Sequence, residues 1–126
     1  MGQDQQAETG ATTLGPLEAE VMALLWRANS ALTVRQAAER LNATRTAELA
    51  YTTVMTVLTR LADKGVLARS RVGRSFAYTP VAADTADLAV RGVLAAHGDA
   101  ALARFVERVE MDPQLRTRLR RLMERP

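Results

Sequence analysis

Cysteine is absent from the 126 residues. That excludes disulfides, zinc fingers and thiolate copper sites, and it suits a reducing compartment such as the cytoplasm. His97 is the only histidine, so no second imidazole can join it around a metal ion, and a structural role is expected of it. Trp26, Tyr51, Phe76, Tyr78 and Phe105 are the whole aromatic set. A lone tryptophan at the end of a helical stretch is expected in the core rather than stacked on a base. Lys64 is the single lysine. Nearly all positive charge is therefore arginine, a bias that a GC-rich genome alone would produce. No run of eighteen apolar residues occurs, so no membrane insertion is expected. There is no Gly-rich phosphate loop, no paired-carboxylate motif and no Gly-x-Ser-x-Gly, so nothing argues for an enzyme, a cofactor or a resident metal. The opening "MGQDQQAETGATT" has no basic n-region and no apolar h-region. Residues 1–13 are expected to be a disordered arm rather than a secretory signal.

What the chain does have is apolar periodicity. Residues 16–28 carry Leu17, Val21, Leu24, Leu25 and Ala28 on one helical stripe, with Pro16 at the first helical position. Thr33 and Gln36 fit a capping box opening a short second helix striped by Val34, Ala37, Ala38 and Leu41. A third helix is predicted over about 49–64, burying Val54, Val57, Leu58 and Leu61 and ending at Gly65. "VLARSRV" and "SFAYTP", joined at Gly73-Arg74, read as a β-hairpin closed by Pro80. Beyond residue 84 three helical stripes follow. The first holds Ala86, Ala89, Val90, Val93 and Leu94. The second holds Leu102, Phe105, Val106 and Val109. The third, opened by Asp112-Pro113, holds Leu115, Leu119 and Leu122.

The third helix is the unusual one. "YTTVMTVLTRL" places Thr52, Thr53, Thr56 and Thr59 in one helix. Threonine loses rotamer freedom in a helix, and four together cost roughly 2 kcal/mol relative to alanine. A solvated face would ordinarily carry Glu, Lys, Arg or Gln. Helix, short helix, helix and hairpin is the order of a winged helix-turn-helix, in which the third helix enters the DNA major groove. There threonine offers a hydroxyl to a phosphate or base edge and a methyl to thymine, so Thr52, Thr53 and Thr56, with Met55 among them and Arg60 one turn on, are the candidate DNA-reading residues. Between residues 32 and 80 there are eight basic and three acidic residues, a net of +5. That is an electrostatic footprint for phosphate, with Arg45, Arg69, Arg71 and Arg74 as further DNA-binding candidates.

The segments "LGPLEAEVMALLW" (14–26), "LTVRQAAERL" (32–41), "AYTTVMTVLTRLADKGVL" (50–67) and "GRSFAYTPV" (73–81) resemble the penicillinase-repressor family of BlaI/MecI type. The resemblance implies a cytoplasmic, homodimeric transcriptional repressor on inverted-repeat operators in double-stranded DNA. The expected fold is mainly α with a small β-hairpin wing, arranged as a winged helix over 14–82 and a helical dimerisation domain over 84–126. It also implies release by a membrane sensor protease or another stress signal, with regulated genes of the antibiotic-resistance kind. Repressor cleavage in that family falls at an Asn–Phe bond. The matching bond here is Arg104–Phe105, which keeps the phenylalanine and replaces the asparagine. The copper-responsive branch carries C-terminal cysteines, which this chain lacks. A dimer also follows from size. Some forty residues in three short helices cannot close a core alone, so Val93, Leu94, Leu102, Phe105, Val106, Val109, Leu119 and Leu122 are expected at an intersubunit interface. The alternative is a winged helix whose basic face meets an acidic protein instead of DNA.

Overall fold

The structure is a computed structural model that describes residues 14–125; the arm expected over 1–13 lies outside the described residues. Helix α1 (Pro16–Ala28) begins where predicted, with Pro16 at its first position. The Glu18 carboxylate caps it by accepting from the Gly15 N–H at 3.0 Å. Asn29, in the left-handed conformation with φ 56°, ends it. Strand β1 (Leu32–Thr33) and helix α2 (Val34–Asn42) follow. The capping box is formed: the Gln36 N–H donates to Thr33 Oγ1 at 3.2 Å, and the Thr33 N–H donates to Gln36 Oε1 at 3.0 Å.

Helix α3 (Tyr51–Asp63) is shorter at its start than the predicted 49–64. The Asn42 side chain acts as a backbone mimic toward Leu49, accepting its N–H at 2.7 Å and donating to its carbonyl at 3.1 Å. With Leu49 held outside the helix, Ala50 becomes an extended N-cap. At the other end Gly65, with φ 79°, closes a Schellman motif. Its N–H donates to Ala62 O, and the Val66 N–H donates to Leu61 O, each at 3.0 Å. The chain turns there into strands β2 (Leu67–Val72) and β3 (Ser75–Pro80). Their pairing leaves Gly73 and Arg74 as a two-residue turn, Gly73 first with φ 61°, as hairpin twist demands.

β1 has no counterpart in the sequence expectation. It pairs antiparallel with β3, Leu32 against Tyr78 and Thr33 against Ala77, giving a sheet of order β1-β3-β2. The wing is thereby tied to the start of α2. The core beneath holds Val21, Met22, Leu24 and Leu25 of α1, the predicted stripe of α2, and Val54, Val57, Leu58 and Leu61 of α3. Trp26 packs partly buried against it and donates its indole N–H to Ala82 O at 2.9 Å, as a core residue with one polar tip should.

Helices α4 (Thr85–His97), α5 (Asp99–Met111) and α6 (Pro113–Met123) complete the chain. Asp112 caps α6, accepting from the Gln114 and Leu115 N–H groups. The first compact unit extends to Ala89, with Ala82 and Leu88 in its core, and the second begins at Val90. In α4 the buried residue is Leu88, outside the predicted stripe; α5 and α6 bury none.

Candidate nucleic-acid interface

α3 has two faces. Val54, Val57, Leu58 and Leu61 point into the core, which fixes the helix rotation and turns Thr52, Thr53, Met55, Thr56 and Arg60 outward. All five are exposed, and Thr59 is half-buried. The Thr56 hydroxyl donates to Thr52 O at 2.8 Å. Its proton is therefore used within the helix. What Thr56 presents outward is oxygen lone pairs, which accept from base amino groups, and a methyl group.

A groove runs between α3 and the hairpin. Tyr51, Met55 and Thr59 line one wall, Arg69, Arg74, Ser75, Phe76 and Tyr78 the other, and Thr33, Val34 and Arg35 the end. No carboxylate lines it. Arg60, Arg69, Arg71 and Arg74 make no ion pair among the described residues, although Arg60 acts on the Glu18 carboxylate at longer range. Arg69 and Arg71 lie over the Phe76 ring, with guanidinium carbons 4.7 Å and 5.7 Å from its centroid.

Arg45 is placed differently from the other candidates. Its guanidinium is paired with Glu20 of α1 at 2.9 Å, and its Nε donates to Ala47 O at 3.1 Å. It pins the loop that leads into α3. Glu18, at 12% side-chain exposure, does the same for the far end of that helix, pairing with Lys64 at 3.1 Å. Burial pushes the Glu18 carboxyl up, but the Gly15 N–H, the Lys64 hydrogen bond and the charges of Lys64 and Arg60 together outweigh it. The net result lies below the ordinary carboxylate value. A depressed folded-state value stabilises the fold above the unfolded-state value, and that stability is lost as pH falls through the folded one. Glu18→Gln is therefore expected to lower stability by about 1 kcal/mol at neutral pH. Denaturant titration should show the gap to the parent closing in the acid range. A gap independent of pH would mean that the charge of Glu18 is not what matters.

A helix-turn-helix with a basic two-stranded wing and an exposed, threonine-faced third helix is the architecture of a DNA-binding transcriptional regulator. The chain belongs to the penicillinase repressor family, whose defining sequence pattern matches residues 14–125. It is 44% identical over 108 residues to the transcriptional regulator BlaI of Mycobacterium tuberculosis, in strains CDC 1551/Oshkosh and H37Rv alike; the match covers 80% of this chain and 77% of the relative. Two solved structures share the fold. The complex structure of hsRosR-S4 matches with a TM-score of 0.52 at 16% identity, covering 93% of this chain and 92% of that one. The complex structure of hsRosR-S1 matches with 0.50 at 15% identity, covering 87% and 88%.

Among the described residues no helix is long and apolar enough to cross a membrane, and no cluster of ligating side chains could hold a metal ion.

Proposed function

We propose that this repressor works as a cytoplasmic homodimer on inverted-repeat operators. Thr52, Thr53, Met55 and Thr56 of α3 read base edges in the major groove. Arg60, Arg69, Arg71 and Arg74 contact phosphate, and Arg45 holds the loop that aims α3. The DNA-binding domain read over 14–82 gains the start of α4, whose Leu88 packs into its core, and the pairing domain read over 84–126 offers its surface from Val90 onward. The observation that carries this reading is the carboxylate-free groove in which Met55 and Thr59 of α3 face Arg69 and Arg74 of the wing; Thr52, Thr53 and Thr56 lie outside that groove, exposed on the adjoining rows of the same helix. Pairing is supported by the C-terminal stripes. Leu102, Phe105 and Val106 are 52%, 45% and 52% exposed in the single chain, Val93 and Leu94 are exposed as well, and Val109 and Leu119 are half-buried. A second copy would take that surface out of water, and two-fold symmetry would present two α3 helices to two half-sites. Release by a membrane sensor protease, or by another stress signal, would act on this pairing domain, with the Arg104–Phe105 bond of α5 as the cleavage position.

Footprinting on the chain's own upstream DNA tests the reading. Two protected half-sites related by a dyad are expected. Protection lacking any dyad would argue against a dimer on an inverted repeat, and no protection, or binding insensitive to salt, would favour an acidic protein partner instead. Within the same measurement Arg74→Ala should weaken specific and nonspecific duplexes alike. It should also make the slope of log affinity against log salt shallower by about 0.9, the value for one phosphate contact. An effect confined to one sequence would make Arg74 a base reader.

A further inference from the structure

The wing arginines are held without being neutralised. Hairpin register places Phe76 directly opposite Arg71 and diagonal to Arg69, so the three side chains share one face of β2 and β3. The next residues inward on that face, Tyr78 and Leu67, are buried, while Phe76 sits at the rim at 36% exposure. Both guanidinium groups lie within reach of its ring, at 4.7 Å and 5.7 Å from the centroid. Residues 67–80 contain no acidic side chain. A carboxylate would have fixed these arginines by cancelling their charge. A ring attracts the cation through its π face, leaves the full charge in place, and leaves N–H donors free for a phosphate.

We propose that Phe76 is a positioning residue for DNA binding. On this assignment its ring pre-orders Arg69 and Arg71 in the free repressor, so less side-chain freedom is lost when they meet the phosphates. The inference rests on the DNA-binding reading of the wing. It is tested by a cycle of variants of the full chain, titrated with operator duplex across a salt series: Phe76→Leu, Phe76→Tyr, Arg69→Ala with Arg71→Ala, and the triple variant. Phe76→Leu keeps apolar bulk and removes the π face. It should weaken binding about 3- to 10-fold, with the salt slope unchanged because every charge remains. Phe76→Tyr should restore binding. In the chain lacking both arginines, Phe76→Leu should have no further effect. A neutral Phe76→Leu overturns the proposal, and so does a loss that persists undiminished without the arginines, which marks a purely structural role. If removing both arginines changes neither affinity nor salt slope, Arg69 and Arg71 do not touch DNA. That result overturns the phosphate contacts assigned to this pair, leaves Arg74 to its own test, and is distinguishable from the other two.

Discussion

Replacing Thr53 and Thr56 together by alanine is expected to weaken operator binding by about 2–4 kcal/mol, since removing one side chain from a base edge costs about 1–3 kcal/mol. The same change should leave the fold as stable as the parent or slightly more so, because alanine is the better helix former by a few tenths of a kcal/mol per site. The opposite signs follow from position. Both side chains are exposed, so nothing in the core is emptied. Thr56 donates its hydroxyl to Thr52 O, and that bond closes within the helix without holding anything else. A serine at position 56 would keep the lone pairs and lose the methyl. Its affinity separates the two things Thr56 offers: weaker binding on both substitutions assigns an interaction with the thymine methyl, and weaker binding on alanine alone assigns hydrogen bonding. Gel-shift titration beside thermal melting reads both quantities. An unchanged operator affinity for the double alanine variant would remove α3 from its role as the recognition helix.

The threonines are legible in sequence because their cost is local. Each violates helix propensity at a position that the apolar stripe already turns outward. α1, the capping box at Thr33 and the two-residue turn at Gly73-Arg74 are legible for the same reason, since caps and turns are written within four residues of themselves. What sequence does not carry is pairing across distance. β1 is two residues long and has no period of its own. It exists because Leu32 and Thr33 meet Tyr78 and Ala77. The contraction of α3 comes from Asn42, seven residues before the Leu49 that it captures. The pairing of Arg45 with Glu20 and of Lys64 with Glu18 joins residues 25 and 46 positions apart. In sequence, Arg45 therefore looks like any other member of the basic cluster. Phe76 looks like a strand residue, and its place beneath two arginines depends on a register that only the folded hairpin sets.

Phe105→Ala is expected to dissociate the proposed dimer. Truncating a buried phenylalanine to alanine typically costs about 3–5 kcal/mol. A two-fold interface carries the change twice, so the dissociation constant should rise by at least roughly 100-fold. The cost should fall on pairing rather than on the fold of the single chain, because α5 buries no residue there and Phe105 is already 45% exposed. Melting should become concentration-dependent in a range where the parent is not, and operator binding should weaken although α3 is untouched. Sedimentation of the variant beside the parent decides the point. The same residue bears on release. The Arg104–Phe105 bond lies in the middle of α5, with Arg104 paired to Glu107 at 3.2 Å. A protease needs an extended strand of backbone, so cleavage there requires α5 to open locally, and an interface packed on Phe105 raises the cost of that opening. Limited proteolysis with trypsin, which reads the arginine side of the bond, should then cut the variant after Arg104 faster than the parent. A Phe105→Ala protein that stays dimeric below micromolar concentration, melts with the parent and is cut no faster would show that Phe105 lies outside the interface and that α5 is open to attack in the intact repressor.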